Sequence, residues 1–217
     1  MTRLDRRERI MATSFAAMAG MVDAIGFLAS GGFFLSFMSG NSTRLSIGLA
    51  EGGPYVFMVT ALIVSFVGGV IWGSLTGNGK NTSVNKRQAT ILVGIAALLF
   101  AAPILADFGW LILAICMAAF CMGAENTLYE RDGSVSFGLT YMTGALVKIG
   151  QGLATMLRGG PKTAWLPYLF LWAGLIGGAV IGASAFAYYG IFSLWIPATL
   201  AALFALILLR TKPEQRS

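Results

Sequence analysis

Six apolar runs of about 20 residues each dominate this chain, and a run of that length and character crosses a hydrocarbon core as a helix. They extend from Ile10 to Ala29, Tyr55 to Thr76, Ala89 to Ala106, Phe108 to Leu128, Trp165 to Tyr189 and Ile191 to Leu209. Lipid offers no partner for a bare amide or carbonyl, so each run must satisfy its own main chain. Charged residues make up 11% of the 217, against roughly 25% in soluble domains, and the mean hydropathy is +0.77. The expected class is an all-α integral membrane protein in the lipid bilayer.

The formal net charge is +6, yet the cations stand at the ends of the apolar runs rather than on one basic face. That pattern reads as membrane orientation and not as nucleic-acid binding. Arg3, Arg6, Arg7 and Arg9 before an apolar run also resemble a leader, but the run is too long for a signal core and carries Asp23. Histidine is absent, which removes the commonest general base and metal ligand. No metal cluster and no cofactor motif replaces it. Cys116 and Cys121, five apart, point to different faces of a helix and read as packing residues.

A phrase from the first half returns in the second. Phe37-Met38-Ser39-Gly40, then Arg44-Leu45 and Gly48-Leu49-Ala50, reappears as Tyr141-Met142-Thr143-Gly144, then Lys148-Ile149 and Gly152-Leu153-Ala154, each pair 104 positions apart. Gly68-Gly69 with Gly73 returns as Gly177-Gly178 with Gly182. Such self-similarity marks an internal duplication, and in membrane proteins polar interruptions at matching places of two halves point to a binding site between them. The Gly-Gly-x-x-x-Gly spacing suits close helix approach, within one chain or between protomers.

Orientation follows from charge. If both phrases crossed the membrane, the loop with Lys80, Lys86 and Arg87 would face away from the N-terminal arginines, against the positive-inside tendency. If each phrase is re-entrant or broken, six spans remain and every strongly basic segment shares one face, including Arg158 with Lys162 and Arg210 with Lys212 and Arg216. Both termini are then cytoplasmic. The expected architecture is an inverted 3+3 repeat in one membrane domain. Residues 1–106 form the first repeat, with spans near 10–29, 55–76 and 89–106 and an interrupted segment at 33–50; residues 107–217 form the second, with spans near 108–128, 165–189 and 191–209 and an interrupted segment at 135–157. Pro103 and Pro197, in the last span of each half, are expected to kink it.

Gly40-Asn41-Ser42-Thr43 is the expected break in the first phrase, with Asn41 or Ser42 capping the helix that continues through Leu45, and Thr143-Gly144 takes the matching place with Thr143 as cap. Two helix starts near the bilayer centre, with Arg44 and Lys148 one turn further on, would suit a small anion or a carboxylate-bearing solute. Asn41, Ser42, Ser39 and Thr143 would supply hydrogen bonds, with Gly40 and Gly144 at the breaks. The competing reading is neutralisation, with Asp23 pairing Arg44 and Glu125 pairing Lys148, since an unpaired charge at the bilayer centre costs roughly 3 kcal/mol. Asn126 aligns with Asp23 when Gly20 is matched to Gly123. Of the acids, Asp23 reads as the stronger carrier of a coupling proton, Glu125 lying nearer the cytoplasmic end of its run. Phe33, Phe34, Phe37, Phe137 and Tyr141 flank the interruptions and read chiefly as packing.

Gly20-Met-Val-Asp-Ala-Ile-Gly-Phe27 and Gly31-Gly-Phe-Phe-Leu-Ser-Phe-Met-Ser-Gly-Asn-Ser-Thr-Arg-Leu45 resemble the YoaK family of small bacterial inner-membrane proteins. The resemblance spans nearly the whole chain and implies a bacterial inner-membrane, multi-pass location; it supplies no substrate. The expected function is a secondary transporter or channel for a small polar, anionic solute. An intramembrane hydrolase using Ser39 or Ser42 with Lys148 as base, and a non-transporting receptor or assembly subunit, are the alternatives. A homodimer is the expected assembly.

Overall fold

In the computed structural model, residues 6–77, 83–131, 134–135 and 140–211 are described, and apart from one minimal strand pair their regular structure is helical. The elements in chain order are α1 (Arg6–Ser30), α2 (Met38–Glu51), α3 (Val56–Leu75), α4 (Val84–Asp107), α5 (Leu111–Glu125), a two-stranded antiparallel ladder of β1 (Glu130–Arg131) with β2 (Ser134–Val135), α6 (Met142–Leu157), α7 (Leu166–Tyr189) and α8 (Trp195–Arg210). A 3-10 turn, Gly190–Leu194, joins α7 to α8. Among the described residues, four helical stretches are long and apolar enough to cross a bilayer: Arg9–Ser30, Val56–Leu75, Val84–Asp107 and the run Leu166–Arg210. Helix α5 is shorter than the apolar run that contains it, because the chain leaves the helix after Glu125 and passes through turns to Tyr129.

Most of the largest fully buried side chains, among them Phe15, Met18, Ile25, Leu62, Ile91, Leu92 and Met122, come from α1, α3, α4 and α5. Large apolar side chains such as Phe57, Val64, Leu75 and Val180 stand on the outside, as expected of a surface solvated by lipid tails. Because lipid is as apolar as leucine, helix association there rests on close fit rather than on water exclusion.

Glycine provides that fit twice, with the same atoms. On α1, a Cβ at Gly20 would overlap the carbonyl of Leu175 and crowd the amide nitrogen of Ala179 on α7; on α5, a Cβ at Gly123 would meet the same groups of Phe66 and Val70 on α3. From the other side, Gly178 abuts the carbonyl of Ala17 and Gly69 that of Phe120, while Gly182 abuts Met21 and Gly73 abuts Ala124 and Thr127. The registers rise together, so α1 runs parallel to α7 and α3 runs parallel to α5. Helix α4 is antiparallel to α5, since Cys121 Sγ lies 3.8 Å from the carbonyl of Ile95 and Gln88 Nε2 donates to the carbonyl of Leu128 at 2.9 Å. It is also antiparallel to α8: Trp195 Nε1 donates to Phe100 at 3.1 Å and Asn85 Nδ2 to Thr211 Oγ1 at 3.0 Å. Helix α2 lies on α3, and α6 on α7.

Pro103 sits inside α4, whereas Pro197 falls in the first turn of α8, where no intrahelical donor is required, so the expected kink at Pro197 has no basis.

Candidate functional site

The first interruption is Gly31–Phe37, upstream of the polar cluster where the sequence placed it. Gly31 (φ 75°) and Gly32 (φ 114°) adopt backbone conformations that L side chains rarely reach, and they turn the chain back at the end of α1. The four amides that follow are each met by a side chain. Ser30 Oγ accepts from Phe33 at 3.0 Å, and Asn41 Oδ1 accepts from Phe34 at 3.1 Å. Asp23 Oδ1 accepts from Leu35 at 2.6 Å and from Ser36 at 2.9 Å. Asp23 Oδ2 takes the Ser36 hydroxyl at 2.9 Å, and Asn41 Nδ2 donates to the carbonyl of Phe34 at 2.6 Å. Three polar side chains thus do for this stretch what a helix does for itself, the condition for irregular backbone at membrane depth.

Contrary to the expectation from the sequence, neither Asn41 nor Ser42 caps α2. The N-cap of α2 is Phe37, which makes no side-chain cap bond, and that of α6 is Tyr141 in the same state, so Thr143 is not a cap either. The cluster lies within the helix because its hydroxyls bond back one turn: Ser42 to Met38 at 2.8 Å, Thr43 to Ser39 at 3.2 Å and Ser46 to Ser42 at 3.0 Å. Asn41 is fully buried, at 0% exposure, while Ser39, Ser42 and Thr43 are exposed. Gly40 packs under the Phe37 ring.

The described approach to the second phrase shares two of these bonds. Thr140 Oγ1 donates to Asn126 Oδ1 at 3.1 Å, the counterpart of the Ser36–Asp23 bond, and the amide of Met142 donates to the carbonyl of Thr140 at 2.8 Å as that of Met38 does to Ser36 at 3.1 Å. Ala145, buried like Asn41, takes the latter's place. Phe137 lies outside the described residues.

The two cations are placed differently. Arg44 is half-buried, with its guanidinium 5.1 Å from the centroid of the Phe33 ring and against Gly32. Lys148 is exposed on α6, on one face with Thr143, Gly144, Gln151 and Thr155. Since α2 lies on α3 and α6 on α7, Arg44 and Lys148 belong to different helix pairs. Asp23 directs its hydrogen bonds to Leu35 and Ser36 rather than to Arg44. Glu125 is fully buried, not solvent-exposed at a helix end, and among the described residues neither of its oxygens has a hydrogen-bond partner. Cys116 and Cys121 are both free thiols, and no group of acidic or cysteine residues suited to a metal occurs among the described residues.

Two residues that matter here escaped the sequence reading. Ser36 and Thr140 sit at matching positions just before the repeated phrase, and that spacing was the available signal. Arg87, read only as an orientation charge, is buried and donates through Nε to Thr76 and through Nη2 to Gly73, both at 3.1 Å, closing the end of α3.

Apolar helices of spanning length, and irregular segments held by side-chain bonds, define an integral membrane protein. The chain belongs to the family described as Protein of unknown function (DUF1275), which it matches over residues 11–207. It is 36% identical over 194 residues to UPF0700 transmembrane protein RA0705 of Rhizobium meliloti (strain 1021), covering 89% of this chain and 81% of that protein. It is 26% identical over 144 residues to UPF0700 transmembrane protein YoaK of Bacillus subtilis (strain 168), covering 64% of each. No solved structure matches.

Proposed function

We propose that this protein is a secondary transporter or channel for a small anionic solute, built from six spanning helices in two inverted halves and working in the bacterial inner membrane with both termini cytoplasmic. The observation that carries the reading is the duplicated interruption: Asp23 with Ser36 and Asn126 with Thr140 hold two helix starts in equivalent conformations, and each helix carries a cation at its seventh residue, Arg44 and Lys148. The antiparallel course of α4 and α8, the last helices of the two halves, supports the inversion.

Ionisable side chains on membrane helices face water-filled cavities or protein, not lipid. The exposed polar strips of α2 (Ser39, Ser42, Thr43, Ser46) and α6 (Thr143, Lys148, Gln151, Thr155) therefore suit the walls of a solute path. In this reading Arg44 and Lys148 attract the anion between the interrupted helices, and Asn41 keeps the first of them in shape. Gly144, with nothing within 4 Å of where a Cβ would stand, keeps the face of α6 near Lys148 low. In this reading the working unit is a homodimer.

Uptake into proteoliposomes across a panel of small anions tests this. Arg44→Gln and Lys148→Gln are each expected to lower uptake of an accepted solute at least tenfold. If both variants move every accepted solute as well as the wild type, the cationic site is wrong.

A further inference from the structure

Glu125 is a buried acid that nothing in the fold requires. The glycine contacts match Gly20 to Gly123 and Met21 to Ala124, which makes Val22 its counterpart. Val22 is equally buried, at 0% exposure, so one half builds the same helix crossing with a hydrocarbon side chain. The register of α4 on α5, with Ile95 beside Cys121 and Gln88 beside Leu128, puts Glu125 on the α4-facing side of α5, at the level of Ile91. A carboxylate there would be an unpaired charge among apolar side chains, the arrangement membrane interiors tolerate least.

The titratable and charged groups around it are few. On α5 itself Cys121 lies one turn back. Helix α4 brings Ile91, Ile95 and Gln88, with Arg87 turned to the carbonyls of Gly73 and Thr76. The part of α3 packed on α5, from Phe66 to Gly73, has no titratable residue. Helix α1 brings Phe15 to Tyr129, and its Asp23 is bonded to Leu35 and Ser36.

We propose that Glu125 is the proton-carrying group of the transport cycle. It stands at the end of α5 near the basic start of α4, where parting of the α4–α5 seam admits a proton from the cytoplasmic bath. The proton binds a carboxylate oxygen, leaves again as the carboxylate re-forms, and passes to the opposite bath in the course of solute movement. Asp23, whose oxygens serve the backbone, has the structural role. This inference rests on the transport reading for its coupling, but not for proton binding itself.

Dicyclohexylcarbodiimide, an apolar reagent for buried protonated carboxyls, applied to the purified full-length protein in detergent is expected to modify Glu125 and not Asp23, as read by peptide mass spectrometry. Labelling is expected to be lost in Glu125→Gln. In proteoliposomes, Glu125→Gln and Glu125→Val should keep solute exchange without a gradient yet lose at least tenfold of the accumulation driven by an imposed pH difference. The valine variant, which gives α5 the side chain that α1 carries at Val22, should fold as well as the wild type. An unlabelled Glu125, or accumulation by either variant equal to the wild type under a pH gradient, overturns the proposal, as does accumulation driven by sodium instead. A wild type that moves no solute sinks the transport reading and the coupling with it, while labelling decides proton binding alone.

Discussion

Asp23 accepts three hydrogen bonds from Leu35 and Ser36, all in one irregular stretch. Asparagine at the equivalent Asn126 supports the hydroxyl bond in the second half, so the geometry does not demand a charge. Asp23→Asn keeps one acceptor oxygen and loses the charge assistance, at an expected cost of about 1 kcal/mol, whereas Asp23→Ala leaves two amides without an acceptor and should cost about 3 kcal/mol. Thermal unfolding in detergent checks the order wild type, Asn, Ala; equal losses for both variants would mean that the carboxylate acts through its charge after all. Asn41→Ala strips both the amide and the carbonyl of Phe34 of their partner and should cost about 2 kcal/mol. An unchanged melting temperature would refute that. The sequence singled out Asp23 and Asn41 as polar residues that a membrane helix would not carry idly. It did not disclose their partners, because most of the bonds run to main-chain groups seven to thirteen residues away, which carry no signal in side-chain identity.

At the scale of the helix, the parallel crossings α1–α7 and α3–α5 depend on backbone approaching backbone. Gly69→Ala and Gly178→Ala would each drive a methyl group into a main-chain carbonyl, of Phe120 and Ala17 respectively, and a carbonyl cannot rotate aside as a side chain can. Each should lower stability by about 3 kcal/mol or prevent accumulation in the membrane. Gly177→Ala meets nothing within 4 Å and Gly68→Ala meets only Phe120 ring atoms at 3.6 Å or more, so both should be tolerated. Detergent-extracted yield and melting temperature of the four variants settle the matter; parity between Gly177→Ala and Gly178→Ala would dissolve the argument. The Gly-Gly-x-x-x-Gly spacing made close approach legible in the sequence. Which glycine of each pair turns inward was not, since that depends on the rotation of α3 and α7 against their partners. The break before α2 was misplaced for a related reason: Gly40-Asn41-Ser42-Thr43 looks like a loop by composition, yet its hydroxyls return to carbonyls one turn back and leave the helix whole.

For the molecule as a whole, apolar runs and their flanking charges made the helices and their order readable, while the convergence expected of Arg44 and Lys148 depends on how α2 and α6 are placed, and these pack on different partners, α3 and α7, a tertiary relation that no local periodicity encodes. The proposed inversion has its testable signature in the ends of α4 and α8, helices that run antiparallel. If the halves are inverted, Phe108 after α4 and Arg210 at the end of α8 lie on opposite faces of the membrane, and Tyr188 near the end of α7 shares the face of Phe108. Basic residues at Lys86, Arg158 and Arg210 then make the face of Arg210 the cytoplasmic one. With Cys116 and Cys121 replaced by alanine, single cysteines at the exposed positions Phe108, Tyr188, Arg158 and Arg210 report this directly in intact cells. An impermeant thiol reagent should label Phe108→Cys and Tyr188→Cys from outside, and reach Arg158→Cys and Arg210→Cys only after the membrane is opened. Labelling of Phe108→Cys and Arg210→Cys from the same side would require both halves to face the same way, and the proposed path between two oppositely directed interruptions would lose its basis.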